Sequence, residues 1–154
     1  RFVAANRRIV VASPAYLKKF GEPRAPGDLV RHNCIGIRQG DEAYGLWRFA
    51  GPRVKAAAGY PESLKIRGNL TTNDGEIAVN WALDGHGILL RAEWDVARYL
   101  RSGRLVEVLP DYHAPPADIY AVVPQRHLGA ARVRAFVDFI AERLNHANPV
   151  DPKR

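Results

Sequence analysis

The side chains able to do chemistry in this sequence are few, and none is spaced for catalysis. Cys34 is the single cysteine, so neither an internal disulfide nor a thiolate metal cage can form. Its ordinary reading is a small buried apolar residue. His32 stands two positions before it, but that offset at a strand start supplies no nucleophile with an aligned base. The five histidines are scattered, with no pair at ligand spacing on one face, so no metal is expected. Gly-x-Ser-x-Gly turns and phosphate-cradling glycine loops do not occur in the sequence. These observations predict no catalytic residue, no enzyme activity and no cofactor.

Helix starts are the other groups of chemical interest. The first N–H groups of a helix have no partner within it, and the helix dipole places positive charge there, so helix starts draw carboxylates. Two such starts are readable, at Ser13-Pro14 and at Thr72-Asn73-Asp74-Gly75. At the first, Pro14 lacks a donor, which leaves Ser13 and Ala15; plain capping is the simpler reading of Ser13. At the second, Thr72 and Asn73 offer side-chain donors beside the backbone of Asp74 and Gly75. Asp74 is itself an acid, suited to orienting a neighbour or to stabilising the dipole. Arg38 follows a strand and could grip a carboxylate with two parallel hydrogen bonds; a solvated loop arginine is its plainer reading. Arg91 divides evenly between a ligand contact and a structural ion pair. Trp47, Trp81 and Trp94 read as packing residues.

The elements that must position these groups follow from periodicity. The β-branched run Arg7–Ala12 predicts a buried strand. Ser13 then caps a helix with Pro14 at its first position, Tyr16 and Phe20 on one face, and Gly21 at its end. Glu22–Arg31 is a loop with one helical turn, and Asn33–Ile37 a strand. Gln39–Glu42 is turn material. Leu46–Ala50 and Val54–Ala56 flank Gly51-Pro52-Arg53 as a hairpin, and Leu64–Leu70 alternates as a half-buried strand. Asn73 caps a second helix, with Glu76 returning the bond, and its apolar face is Ile77, Ala78, Trp81 and Ala82. Gly85 stops it. Ile88–Leu90 is a strand, Glu93–Leu100 a helix closed by Gly103, and Leu105–Leu109 a strand. Pro115-Pro116 reads as a linker before a strand at Asp118–Val123. Val133, Phe136, Val137, Ile140, Ala141 and Leu144 mark the strongest amphipathic helix.

The chain has 154 residues, 47% apolar and 25% charged, enough for one ordinary globular unit. Strands alternate with helices, which predicts an α/β fold with a mostly parallel sheet. No apolar run approaches the roughly 20 residues of a membrane span, and no secretory signal is visible. With one cysteine, a reducing cytoplasm is the simple expectation. The net charge of +7 comes from scattered Lys and Arg. It favours anionic partners in general without forming a nucleic-acid reading surface.

Several pieces, in order, resemble one family. Val11–Leu17, Gly21-Glu22-Pro23, Pro26–Leu29 and His32-Asn33-Cys34 look like the opening of the second lobe in the effector-binding domain of LysR-type transcriptional regulators. Leu46–Phe49 resembles that lobe's hairpin. Asn73–Glu76 and Gly85-His86-Gly87-Ile88 resemble its cleft helix and following turn. Gly103–Val106 with Val108–Pro110 resembles the next strand, and Ile119–Val122 and Arg134–Ile140 resemble the return to the first lobe. The resemblance covers about Arg7 to Leu144. Arg91 departs from the proline many relatives carry there, although a branch with Arg followed by Glu-Trp is similar.

The resemblance implies a fold of the type 2 periplasmic-binding-protein kind, with two α/β lobes, two crossover strands and a ligand cleft between the lobes. Here that means the second lobe over residues 1–112, a hinge with the returning strand and helix of the first lobe over 113–145, and a flexible tail over 146–154. The implied function is ligand sensing. A small organic anion would bind Ser13, Arg38, Thr72, Asn73, Asp74, Gly75 and Arg91, and would control promoter DNA binding by an N-terminal winged helix-turn-helix expected to precede Arg1, as would the opening of the first lobe. The implied partners are that effector, promoter DNA through the N-terminal domain alone, and further copies of the chain, with no membrane. The alternative is a secreted solute-binding protein of the same fold. A returning helix without the rest of its lobe also predicts self-association or a reseated terminal helix.

Overall fold

In the computed structural model, residues 1–38, 45–53, 59–127 and 129–147 are described. Strand β1 (Phe2–Ala4) leads into β2 (Arg8–Ala12). Helix α1 (Pro14–Phe20) follows as its residues dictate. The Ser13 Oγ accepts from the Tyr16 N–H at 3.1 Å, and Gly21, at φ 84, ends it by donating to the Leu17 carbonyl at 2.8 Å. A 3-10 turn (Pro26–Arg31) precedes β3 (Cys34–Ile37). Then come β4 (Leu46–Phe49), β5 (Glu62–Lys65) and β6 (Thr71–Thr72). Helix α2 (Gly75–Leu83), β7 (Ile88–Ala92), helix α3 (Glu93–Arg101) and β8 (Val106–Val108) complete the main body. Strand β9 (Ile119–Tyr120) and helix α4 (Ala131–Ala147) follow.

Five strands form one sheet in the order β6-β3-β7-β2-β8. Strand β3 runs parallel to β6 and β7, but β2 is antiparallel to both β7 and β8. The sheet is therefore mixed: β6, β3, β7 and β8 share one direction, as expected, and β2 alone opposes them. The reason is the direction of entry: β2 runs away from β1, while β7 and β8 run back toward it. Period-2 alternation sorts the side chains onto two faces. Val10, Ala12, Cys34, Ile88, Leu90 and Val108 pack with Tyr16, Leu29, Trp47 and Phe49 on one face. Ile9, Val11, Ile35 and Leu89 pack against Ala78, Val79 and Ala82 of α2 and Val96 of α3 on the other.

Strand β4 pairs antiparallel with β5, Leu46 opposite Lys65 and Phe49 opposite Glu62. The other expected arm of that hairpin, Val54–Ala56, lies outside the described residues, as does the turn at Gln39–Glu42. The strand expected over Leu64–Leu70 is shorter. After Lys65 the chain bends so that Gly68 passes against the Cys34 carbonyl, where a Cβ would collide with backbone. Strands β1 and β9 pair as a separate ribbon, Phe2 opposite Tyr120, and β9 covers only two residues of the strand expected over Asp118–Val123. The ribbon joins the main body through Asn6, whose N–H meets Asp118 Oδ1 at 2.9 Å and whose carbonyl accepts from Ala117 at 2.8 Å. Helix α4 lies against β1. It runs to Ala147, so the first two residues of the expected tail are helical; residues 148–154 lie outside the described residues. No helix among the described residues is long and apolar enough to cross a membrane.

Candidate functional site

The sheet has two ends, and its register decides which groups meet. At the end beside the β1–β9 ribbon, Arg8 pairs with Ala92, Ile9 with Arg91, and Ile37 with Thr72. The Arg38 N–H donates to the Thr72 carbonyl at 2.8 Å. Thr72, Asn73, Asp74, Gly75, Arg38 and Arg91 thus gather at this ribbon-side end. Ser13 does not. It follows the last residue of β2, next to the starts of β7 and β8, at the opposite end of the sheet. It is buried, its Oγ is engaged with Tyr16, and its nearest neighbours include Gly85. The expectation that both helix starts face one groove is corrected: an antiparallel β2 sends its helix to the far end, and Ser13 is a cap.

The second helix start also differs in detail. Asp74, not Asn73, is the cap, and its Oδ1 accepts from the N–H of Glu76 at 2.8 Å and of Ile77 at 3.2 Å. The reciprocal box through Glu76 is replaced by this two-point acceptor. The Asp74 N–H is taken by Thr72 Oγ1 at 3.0 Å, which leaves Gly75 of the two backbone donors expected there. Ile77, assigned to the apolar face, is exposed; Val79 takes its place inside. With its own carboxylate seated on the first turn, the tip of α2 attracts anions weakly by itself. The positive potential at this end must come from arginines.

Arg91 supplies it in a specific geometry. It faces the α2–α3 side of the sheet, since its neighbour Leu90 belongs to the opposite core. Its side chain is 20% exposed, and its Nε lies 2.9 Å from Oδ2 of Asp95, four residues on in the first turn of α3. The Nε–H makes no hydrogen bond, so the contact is ionic rather than directional. The guanidinium lies across the first turn of α2, where a Cβ on residue 75 would overlap it. Glycine at position 75 is what admits it.

Sequence reasoning missed Arg8, Asp95 and Ala117. With Arg91 and Ile37 they line a cavity of about 270 Å³ facing the ribbon. Arg8 is readable only once β2 is known to be antiparallel to β7, because that pairing puts the start of one strand beside the end of the other. A larger groove, about 740 Å³, opens at the far end between α1, the 3-10 turn and the link from β5 to β6, lined by Tyr16, Phe20, Arg31, Arg67 and His86 among others. Size alone favours it. The ribbon-side end is favoured by convergence, since there basic side chains and a helix start meet beside the connection between two parts of the fold.

Other titratable groups are structural. Cys34 is buried, and burial pushes its thiol up to about 12. Burial also raises the Tyr16 phenol, whose oxygen accepts from the Asn33 N–H at 3.0 Å and lies 3.1 Å from His32 Nδ1. Burial and then Arg31 hold His32 below its ordinary value. Among the described residues no group of three His, Cys, Asp or Glu side chains could hold a metal.

Comparison with known proteins places this geometry in context. A family model described as the LysR substrate binding domain matches residues 1–145. The chain is 40% identical over 136 residues to the HTH-type transcriptional activator TtdR of Escherichia coli K12, covering 88% of this chain and 42% of that protein. It is 39% identical over 142 residues to the transcriptional regulator DmlR of the same organism, covering 92% and 44%. Among solved structures, the full-length virulence activator AphB of Vibrio cholerae matches with a TM-score of 0.74 and 25% identity, over 93% of this chain and 46% of that one. The regulatory domain of CrgA from Neisseria meningitidis matches with a TM-score of 0.67 and 29% identity, over 94% and 68%. The chain therefore spans less than half the length of these curated relatives.

Proposed function

The chain belongs to the LysR substrate-binding domain family, and from that premise we propose that it senses a small organic anion for a transcriptional regulator. The effector sits at the ribbon-side end of the sheet, against Thr72, Asn73, Asp74, Gly75, Arg38 and Arg91, with Arg8 as a further cation. Residues 1–112 act as the second lobe, and residues 113–145 as the hinge with the returning strand and helix of the first. The observation that carries this reading is Arg91 laid over the first turn of α2, a guanidinium that adds the positive charge this carboxylate-capped helix tip does not supply and that a carboxylate can grip. The chain performs no chemistry on its ligand. It works in the cytoplasm, as an oligomer, and reaches promoter DNA only through an N-terminal domain of the longer protein. The relatives are transcriptional regulators, which does not favour a secreted solute-binding protein.

A ligand shifts a regulator only by binding its two conformations unequally. Here the unequal contact is a carboxylate reaching Arg91 on one lobe and the ribbon side on the other. Promoter binding by the full-length regulator, measured against a panel of organic acids, tests this. An acid that changes DNA affinity in the wild type but not in Arg91→Ala supports it. Indifference to every acid in the panel contradicts it.

A further inference from the structure

Arg91 and Asp95 form the common wall of two cavities. One, of about 270 Å³, faces the ribbon and is also lined by Arg8, Ile37 and Ala117. The other, of about 200 Å³, lies between α2 and α3 and is also lined by Gly75, Glu76 and Tyr99. Asp95 neutralises Arg91 at 2.9 Å, yet leaves its buried Nε–H without a hydrogen bond. The guanidinium lies across the first turn of α2, whose N–H groups are already capped by the Asp74 carboxylate. Asp95, itself 44% exposed, is thus a partial and displaceable partner.

We propose that Asp95 is a built-in competitor for the effector: it holds Arg91 in the unliganded chain, and the effector's carboxylate takes its place. This rests on reading the ribbon-side end as the effector site. The exchange replaces one carboxylate by another on the same guanidinium, so no unpaired charge is left on Arg91. The incoming group gains the directional hydrogen bond to Nε that Asp95 does not make, which a two-oxygen acceptor is shaped to do. The released Asp95 is not stranded, because it lies in the first turn of α3, where an acid is stabilised by that helix's dipole. Gly75 presents no side chain to obstruct the guanidinium as it moves. The effector's affinity is then a difference between two carboxylates, so the site selects ligands that give Arg91 more than Asp95 does.

The test uses acetate as probe, titrated into the chain and followed by NMR at the Arg91 Nε–Hε resonance. Asp95→Asn is expected to bind acetate about two- to five-fold tighter than wild type, the range that losing one partly exposed ion pair allows. Its Nε–Hε resonance should also move before acetate is added. Glu76→Gln removes an equal charge from the wall of the neighbouring cavity between α2 and α3 and is expected to change affinity less. Asp95→Ser provides the same reading if Asp95→Asn does not fold. Equal gains in Glu76→Gln and Asp95→Asn, or no gain in Asp95→Asn while Arg91→Ala still weakens binding, overturn the displacement and leave the site reading standing. Acetate binding indifferent to Arg91→Ala, or absent from every variant, overturns both.

Discussion

Individual residues in this chain divide by which end of the sheet they occupy, and their substitutions should divide the same way. Ser13 caps α1 at the far end, so Ser13→Ala should cost stability and nothing else. A lost serine cap is worth about 1 kcal/mol, readable as a lowered urea midpoint with unchanged anion titration. A loss of anion binding with the fold intact would return Ser13 to the site. Cys34 makes a pH prediction. Burial raises its thiol from an ordinary 9.0 to about 12, so the folded state keeps a proton that the unfolded chain releases. Its contribution to stability is whole below pH 9 and fades as pH rises from there toward 12. At pH 8 the native thiol should resist alkylation, and it should react freely only in denaturant. Rapid native alkylation would contradict the burial described.

Elements follow a similar logic, set by what each must join. The start of β2, the start of α3 and β8 are tied by Arg7, which makes two hydrogen bonds to Glu93, at 2.6 and 2.9 Å, and a longer contact to Glu107 at 3.3 Å. The Glu93 side chain is only 8% exposed, so Arg7→Ala leaves a nearly buried carboxylate without its partner. A fully buried pair broken in this way costs 3–5 kcal/mol; with Arg7 itself 43% exposed, a loss of about 2 kcal/mol is expected in chemical denaturation. Arg7→Ala with undiminished stability would show the tie to be ornamental. At this scale the sequence was largely legible. Ser13-Pro14 and Gly21 bracket α1, Gly85 ends α2, and Gly103 closes α3, because caps and breakers act locally. What it hid is pairing. Nothing local in Arg8–Ala12 says that the strand is antiparallel to β7, and that one fact moves Ser13 away from the candidate site and places Arg8 beside Arg91 there. Thr72–Gly75 and Arg91 were readable as candidates, but their meeting depends on Gly75, whose role appears only once Arg91 is seen to cross it. Asp74 rather than Asn73 is the cap: Thr72 Oγ1 accepts the Asp74 N–H two residues on, and the Asp74 carboxylate takes the Glu76 and Ile77 N–H groups, a local choice between two adjacent capping residues that spacing alone does not decide.

For the whole molecule, the ribbon and α4 differ from the main body. Val122 is 93% exposed and Phe136 64%, with Phe2, Tyr120 and Phe139 also open; Tyr120 and Val122 line a cavity of about 520 Å³ with Arg1, Val133 and Val137 among others. Apolar surface of this kind seeks cover. Sedimentation of the chain alone should show self-association, or spectroscopy should show α4 moved away from its seat against β1. A strict monomer with α4 in this position would contradict the expectation. In the main body both faces of the sheet are packed.

The claim on which these scales converge is that the ribbon-side end of the sheet holds an organic anion. Chemical-shift mapping of the chain during titration with a panel of small carboxylates tests it most directly. A saturable response centred on Arg38, Thr72–Gly75 and Arg91, and abolished in Arg91→Ala, is the predicted result. A response centred on the far groove of Tyr16, Arg31 and Arg67, undiminished by Arg91→Ala, would contradict it.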